Sequence, residues 1–183
     1  MPVGTLANMA TSAFVRTPPA FAERIVRHLL LFPEGKAVNV LDPTAGEGDL
    51  LLPCLNVPHT RLYGVEISAA RADVARARLP HAAIVSCAFE GVSIPKGSMS
   101  LVLCNPPYFF QNGERAEYRI IADSGLLLSP GGIMAAIIPA RSAWDGTMVN
   151  HFCKWYDRVQ VWKFPDRSSE NDEGSFEDFT QIV

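Results

Sequence analysis

The sequence lacks the cysteine and histidine spacing that usually holds a structural metal ion. No two of its four cysteines form a Cys-x-x-Cys pair, and its four histidines stand at no zinc-site offset. We therefore expect no metal site. The cysteines are interpreted as reduced thiols, with Cys87 and Cys104 in apolar runs that predict buried strands.

Long apolar runs, a secretory signal and a basic surplus are also missing. No apolar run approaches the ~20 residues that cross a bilayer, and the chain does not open on a basic segment followed by an apolar one. We expect a cytoplasmic protein with no membrane contact. The net charge is −3, whereas phosphate contacts usually require a basic surplus. If the substrate is a nucleic acid, its binding surface is local or another domain or subunit holds the polymer.

Apolar residues are abundant, at 48% of the chain against 19% charged residues, which suits one compact domain. Short apolar runs alternate with segments of helical periodicity, which predicts an α/β fold with a mostly parallel sheet and helices on both faces. The predicted strands are 38–41, 61–66, 83–87, 100–104, 133–138 and 158–164, and the predicted helices are 20–32, 49–55, 68–79, 115–128 and 147–155. The helix over 115–128 is expected to end at the turn Pro130-Gly131-Gly132.

The two ends of the chain carry separate predictions. Residues 1–16 are expected to form an N-terminal arm, and residues 17–183 a single domain. The polar and acidic stretch 165–178 predicts a loop. Residues 179–183 begin another strand-like run, as if the domain were truncated within its last strands.

A glycine-rich turn follows the first predicted strand. Residues 41–49 read Leu-Asp-Pro-Thr-Ala-Gly-Glu-Gly-Asp, at the carboxyl end of the sheet where α/β folds bind ligands. The turn lacks the Lys-Ser/Thr of a P-loop and the third glycine of the dinucleotide fingerprint. Glu66 ends the next strand about twenty residues on, where an acid accepts hydrogen bonds from ribose hydroxyls. The turn and the acid together predict a nucleoside-containing cofactor.

A second motif, Asn105-Pro106-Pro107-Tyr108, follows the fourth predicted strand. An amine conjugated to a ring is a poor nucleophile because its lone pair is delocalised. The Asn105 side-chain oxygen and the Pro106 carbonyl could each accept one amine hydrogen and direct the lone pair toward a methyl donor, and consecutive prolines would fix that carbonyl. Tyr108 offers a face on which a planar base, flipped out of its helix, can stack. Such transfer needs positioning more than a strong base.

These motifs resemble those of the Rossmann-like methyltransferases that use S-adenosylmethionine, across nearly the whole chain. The resemblance implies that Asp42 to Gly48 wrap the methionine moiety. Thr17-Pro18, preceded by Phe14, is similar to the segment that closes over the cofactor in DNA amino-methyltransferases. Cys87 stands where an aspartate often binds the adenine, and Glu90 is the alternative for that role. The implied cofactor residues are Thr17, Pro18, Asp42, Thr44, Ala45, Gly46, Gly48, Glu66, Ile67, Cys87, Ala88, Phe89 and Asn105.

The tetrapeptide resembles the catalytic motif of N6-adenine and N4-cytosine DNA methyltransferases, of some RNA adenine enzymes and of the glutamine N5-methyltransferases of release factors. The order of the motifs resembles the gamma arrangement of DNA adenine methyltransferases, in which a target-recognition region follows; no such region is expected within this chain. The resemblance implies that Asn105, Pro106 and Tyr108 are catalytic. It favours an N6-adenine DNA methyltransferase, of a restriction-modification system for example, acting on a flipped base.

Three alternatives stay open from the sequence: an RNA adenine methyltransferase, a protein glutamine N5-methyltransferase, and a non-catalytic cofactor-binding subunit. Among other charged residues, Arg71, Arg76 and Arg78 are interpreted as a solvated helix face. Arg141 is the best single candidate for contact with substrate phosphate. Further candidates follow the catalytic motif: Glu114, Arg115, Tyr118 and Arg119.

Overall fold

A computed structural model describes residues 15–29, 37–111, 113–164 and 179–182. Its strands are β1 (Val38–Asp42), β2 (Thr60–Glu66), β3 (Ala83–Ser86), β4 (Met99–Cys104), β5 (Phe110–Gln111), β6 (Glu114–Arg115), β7 (Leu128–Pro139), β8 (Val161–Lys163) and β9 (Phe179–Ile182). Its helices are α1 (Pro19–Leu29), α2 (Ala69–Arg78), α3 (Ala116–Gly125), α4 (Ala140–Ala143) and α5 (Gly146–Trp155). None of the described helices is long and apolar enough to cross a membrane.

The larger sheet has seven strands in the order β3-β2-β1-β4-β7-β9-β8. Neighbouring strands are parallel from β3 to β7, and β9 runs antiparallel to both β7 and β8. Strands β5 and β6 pair separately as a short antiparallel hairpin directly after the Asn-Pro-Pro-Tyr motif. The predicted Rossmann-like fold with a mostly parallel sheet is confirmed.

The core has two layers because alternate residues of a strand face opposite sides of the sheet. Leu101 and Leu103 of β4 pack on one side with α1 and α2. Val102 and Cys104 pack on the other side with α3 and α5. Burial on both faces explains why the central strands are apolar throughout.

Two local predictions are wrong. Residues 49–55 form turns and a short 3₁₀-helix (Leu52–Cys54) rather than an α-helix, because Pro53 cannot donate a backbone hydrogen bond and would clash inside an α-helix. Pro130-Gly131-Gly132 do not separate α3 from β7. They lie within β7, where the pairing with β4 shifts from Met99↔Leu128 to Leu101↔Ile133, and Gly131 takes a φ of +77° at this irregularity.

The ends of the chain are described only in part. Most of the predicted arm (residues 1–14) and the predicted loop over 165–178 lie outside the described residues. The strand-like run near the end is confirmed as β9, which fills the position between β7 and β8. At the other end, residues 15–18 lead into α1, and the Pro18 carbonyl accepts hydrogen bonds from the Phe21 and Ala22 amides.

Candidate active site

The glycine turn between β1 and the 3₁₀-helix is held by backbone hydrogen bonds, one of them to β2. The Ala45 amide donates to the Val65 carbonyl at 2.8 Å, and the Gly48 amide donates to the Ala45 carbonyl at 2.7 Å. Gly46 and Gly48 have φ values of +53° and +85°, in the left-handed region that favours glycine. A Cβ at position 48 would also lie 2.6 Å from Leu79 Cδ1. Backbone conformation and close packing therefore both require glycine at position 48.

Asp42, at the end of β1, is a buried carboxyl group. It is 2% exposed, and its Oδ1 accepts a 2.9 Å hydrogen bond from the Thr44 amide. The pKa of Asp42 is raised to about 8, chiefly by burial and to a smaller extent by the nearby Glu66 and Asp49 carboxylates, while hydrogen bonding from Thr44 opposes the shift. Asp42 therefore carries a proton at neutral pH in this structure. A cation beside it would favour release of that proton.

Glu66, at the end of β2, is joined to the glycine turn. Its Oε2 accepts a 2.9 Å hydrogen bond from the Gly46 amide. Its Oε1 accepts from the Ser68 amide at 2.7 Å and from the Arg71 guanidinium at 2.7 and 3.1 Å. Among the described residues Oε2 has a single donor, so it keeps acceptor capacity for a ligand hydroxyl.

The interpretation of the arginines on α2 as a solvated face is wrong for Arg71 and Arg78. Arg71 pairs with Glu66, and its side chain is 13% exposed. Arg78 pairs with Asp49 at 2.8 Å and donates to the Glu47 carbonyl at 2.7 Å. These two arginines neutralise acids around the glycine turn and hold it against α2. Their spacing of seven residues places them on one face of the helix.

Two small cavities are lined in part by residues of the glycine turn. One, of about 70 Å³, is lined by Ile67, Cys87, Ala88 and Phe89 among others. The second, of about 10 Å³, is lined by a set of predicted site residues that includes Thr17, Asp42, Thr44, Ala45 and Asn105. The structure therefore brings these residues together, whereas four other predicted cofactor residues line neither cavity: Pro18, Gly46, Gly48 and Glu66. A larger cavity of about 890 Å³ is formed by other residues, near the start of β7 and the ends of α3 and α5.

The residues around the two cavities fit S-adenosylmethionine. The first cavity is a mostly apolar slot suited to an adenine ring. Two buried carboxyl groups, on Asp42 and Glu66, suit a cationic amine and a ribose hydroxyl respectively. Thr44 lines both cavities, and its hydroxyl is buried. It lies near enough to Asp42 to help lower that pKa, yet it is buried without a hydrogen-bond partner among the described residues, so a polar ligand would satisfy it.

Asn105, directly after β4, has all of its side-chain polar atoms engaged. Its Nδ2 donates to the Val15 carbonyl at 2.9 Å and to the Thr17 hydroxyl at 3.1 Å. Its Oδ1 accepts from the Tyr108 hydroxyl at 2.5 Å. The predicted catalytic residues Asn105 and Tyr108 thus contact each other, and Pro106 between them is buried.

The Tyr108 ring is half-buried, with its hydroxyl directed into the protein. Besides Asn105, that hydroxyl lies 2.9 Å from the Ile137 carbonyl of β7. Burial, with smaller effects from Cys104 and Glu117, raises the pKa of Tyr108 well above its ordinary value. The phenol therefore stays protonated and acts as a donor. Stacking of a base on Tyr108 stays a prediction.

One buried acid near this motif was missed by the sequence analysis. Glu117, in the first turn of α3, is 1% exposed. Its Oε1 accepts a 2.8 Å hydrogen bond from the Ser142 hydroxyl and lies 3.5 Å from the Arg115 guanidinium. Glu117 therefore connects the segment after β4 to the segment after β7. A glutamate in the first turn of a helix is common, so Glu117 by itself gave no sign of a buried role. The one signal in the sequence was Arg115, two residues earlier, which pairs with it.

The carboxyl edge of the sheet also exposes aromatic and basic side chains. Phe110 is 61% exposed and Trp144 is 68% exposed. The Arg115 guanidinium lies 4.7 Å from the centre of the Phe110 ring. Arg141 is exposed at the end of β7, as its predicted position requires. Arg119 differs, because it forms an ion pair with Glu90.

The fold and the comparisons together define an S-adenosylmethionine-dependent methyltransferase. The chain belongs to the uncharacterised methyltransferase family DUF6094, whose model matches residues 2–183. S-adenosylmethionine is thus its cofactor, as the sequence predicts.

Solved structures support the same fold. A protein described as a class I S-adenosylmethionine-dependent methyltransferase, from Listeria monocytogenes, is 14% identical with a TM-score of 0.75, over 98% of this chain and 64% of that one. An S-adenosylmethionine-dependent O-methyltransferase from Thermotoga maritima is 15% identical with a TM-score of 0.68, over 98% of this chain and 69% of that one.

A type I restriction-modification methyltransferase subunit from Streptococcus thermophilus is 16% identical with a TM-score of 0.69, over 93% of this chain and 44% of that one. The chain therefore spans less than two thirds of the length of the Listeria and Streptococcus proteins. A comparison with curated protein sequences finds no match.

Proposed function

We propose that this methyltransferase transfers a methyl group to the exocyclic N6 amine of adenine in DNA. The observation that carries the proposal is the geometry of Asn105 at the carboxyl end of β4. Both hydrogens of its amide are donated to residues 15 and 17, so its oxygen faces the opposite way, toward Tyr108. A carbonyl oxygen has two lone pairs. One lone pair of Asn105 Oδ1 accepts from the Tyr108 hydroxyl, and the other can accept a hydrogen from a planar amine.

In this proposal S-adenosylmethionine occupies the two small cavities beside the glycine turn. Asp42 and the turn from Thr44 to Gly48 hold the methionine moiety, with Asp42 facing its ammonium group. The free acceptor position on Glu66 Oε2 takes a ribose hydroxyl. Ile67 and residues 87–89 pack around the adenine. The smaller cavity has room for about one water molecule, so side chains that line it shift to admit the methionine moiety.

The chemistry requires positioned acceptors rather than a strong base. S-adenosylmethionine supplies an electrophilic methyl group bonded to a sulfonium. Asn105 Oδ1 and the Pro106 carbonyl hold the two amine hydrogens and direct the nitrogen lone pair along the line of attack. The new N–C bond forms as the S–C bond breaks, and the methylated nitrogen then loses one proton to solvent. Tyr108 keeps Asn105 Oδ1 in place and presents a ring face to the base.

The carboxyl edge of the sheet supports a nucleic-acid substrate. Phe110, Trp144 and Arg141 are exposed there, and exposed aromatic and cationic side chains are the groups that contact unstacked bases and phosphates. The streptococcal subunit of similar fold is named as a restriction-modification methyltransferase. With a net charge of −3, the domain needs help to hold DNA, and we assign target recognition to a separate domain or subunit.

A labelled-methyl assay tests the proposal. Unmethylated genomic duplex DNA offers every short target sequence, and single-stranded DNA, RNA and a release factor serve as parallel substrates. We expect label in DNA, recovered as N6-methyladenine. Label recovered only in RNA or only in the release factor would replace the proposal with one of the alternatives. Cofactor binding without transfer to any substrate would favour a non-catalytic subunit.

A further inference from the structure

The side-chain amide of Asn105 is held by residues that lie 88 and 90 positions away in the chain. Both lie in the N-terminal segment (residues 15–18), which precedes α1. The Val15 carbonyl and the Thr17 hydroxyl each accept one Asn105 amide hydrogen, at 2.9 and 3.1 Å. The hydrogen bond to Thr17, which is 4% exposed, is partly buried, whereas the one to the Val15 carbonyl is exposed.

These contacts fix which way the amide points. A backbone carbonyl only accepts hydrogen bonds, so the Asn105 atom facing Val15 must be the nitrogen. The oxygen then faces the Tyr108 hydroxyl, which donates to it. A rotated amide would place its oxygen against the Val15 carbonyl, and two acceptors would meet with no hydrogen between them.

The N-terminal segment is also anchored to the cofactor side of the site. The Arg16 guanidinium donates to both carboxylate oxygens of Asp49, at 2.9 and 3.2 Å, and lies 3.7 Å from Glu47. Asp49 is 6% exposed and is itself held by Arg78 at 2.8 Å. One short segment thus contacts the end of the glycine turn through Arg16 and the catalytic motif through its two neighbours.

We propose that Thr17 is a positioning residue for catalysis: the Val15 carbonyl selects the orientation of the Asn105 amide, and the Thr17 hydroxyl accepts its second hydrogen and holds it there, with Oδ1 facing the target amine. The inference rests on the proposed function and adds a role for Thr17 besides closure over the cofactor. Because Arg16 anchors the same segment to the glycine turn, the arrangement that closes the cofactor site also sets the catalytic amide.

Thr17→Val tests the inference, because valine keeps the shape of the buried side chain and the course of the backbone while removing the hydroxyl. With saturating S-adenosylmethionine and unmethylated genomic DNA, we expect kcat to fall about tenfold or more, with the cofactor KM within about threefold of wild type. Thr17→Ser restores the hydroxyl and should recover most of kcat. Thr60→Val is the matched control, because the Thr60 hydroxyl contacts the Pro58 carbonyl at the other end of β2.

A second readout needs no substrate. In ¹⁵N-labelled protein, the Asn105 side-chain amide signals, assigned by their loss in Asn105→Ala, should exchange with solvent slowly in wild type and in Thr17→Ser. At least one of them should exchange faster in Thr17→Val, because it has lost its acceptor. The same spectra show whether each variant is folded.

The outcomes separate this inference from the proposed function. An active wild type with an inactive Asn105→Ala and a fully active Thr17→Val would overturn the inference alone. A loss confined to cofactor KM, or an equal loss in Thr17→Ser, would assign Thr17 to binding or packing and also overturn it. If wild type methylates none of the four substrates, the proposed function fails. Unchanged amide exchange in Thr17→Val would then remove the positioning role as well.

Discussion

The Glu66 carboxylate and the Gly46 amide are joined by a 2.9 Å hydrogen bond across twenty residues of sequence. The acid at the end of β2 and the glycine turn after β1 are therefore one connected unit, and Arg71 completes it by binding the other carboxylate oxygen. A disturbance at Glu66 reaches the glycine turn directly. Glu66 therefore stabilises the glycine turn even in the absence of a ligand.

Glu66→Gln is expected to weaken S-adenosylmethionine binding by about tenfold or more, because it removes the charge that pairs with Arg71 and replaces one of the two acceptor oxygens with a donor. Isothermal titration calorimetry measures the affinity. Asp73→Asn is the matched control, since Asp73 is an exposed acid on α2 that pairs with Arg76. Equal affinities for wild type and Glu66→Gln would remove Glu66 from the site.

Asp42→Asn is expected to stabilise the ligand-free protein. Burial raises the pKa of Asp42 from 3.8 to about 8, so the folded state binds a proton that the unfolded state releases between these values, and stability falls as pH rises through that range. Asparagine keeps the acceptor for the Thr44 amide and has no such penalty. Its gain in melting temperature should be near zero at pH 4, grow toward pH 8 and then level off. A gain that is independent of pH would contradict the assignment.

The same variant should bind the cofactor more weakly if Asp42 faces the ammonium group. In wild type, binding should release a proton near neutral pH, because a cation lowers the raised pKa of Asp42. Calorimetry in two buffers with different ionisation enthalpies detects that proton, and it should disappear in Asp42→Asn. Proton release that persists in the variant would place the titration elsewhere.

Ser142→Ala is expected to lower the free energy of unfolding by roughly 1–3 kcal/mol, because it leaves a buried oxygen of Glu117 with one donor fewer. Urea denaturation measures the difference. Ser98→Ala offers a comparison, since the Ser98 hydroxyl also donates a hydrogen bond but is exposed, and it should change stability by less than about 0.5 kcal/mol. Similar losses in both variants would argue against a connecting role for Glu117.

Arg141→Ala is expected to weaken DNA binding evenly across sequences and to reduce the slope of log affinity against log salt by about 1, as for one lost phosphate contact. Fluorescence anisotropy with labelled duplexes at several salt concentrations measures the slope. Arg61→Ala is the control, because Arg61 is exposed on the opposite edge of the sheet. An unchanged slope in Arg141→Ala would remove this contact from the proposal.

Sequence patterns were sufficient to predict the fold and to place the glycine turn and the Asn-Pro-Pro-Tyr motif directly after strands. Strand periodicity and turn residues are local properties, so they can be read from the sequence. The alternation of Leu101 to Cys104 between the two core layers follows from strand geometry alone. Local patterns failed where a single residue overrode them, as Pro53 did in the expected helix over 49–55.

The contacts that complete the site join distant segments, which no spacing rule reveals. Asn105 donates a hydrogen bond to Thr17, 88 residues away in the chain. Arg78, the last residue of α2, pairs with Asp49 at the end of the glycine turn. The seven-residue spacing of Arg71 and Arg78 showed only that they share a helix face. Whether that face meets water or the glycine turn depends on how α2 packs on the sheet, which is a tertiary property.

The central claim, that Asn105 orients an adenine amine for methylation, is tested most directly by comparing wild type with Asn105→Ala on unmethylated DNA. N6-methyladenine is quantified by mass spectrometry of digested product, and S-adenosylmethionine affinity is measured on the same samples. The account predicts N6-methyladenine with wild type and none with Asn105→Ala, with cofactor affinities within about tenfold of each other. Full activity of Asn105→Ala, or a methyl group on any other atom of the DNA, would contradict it.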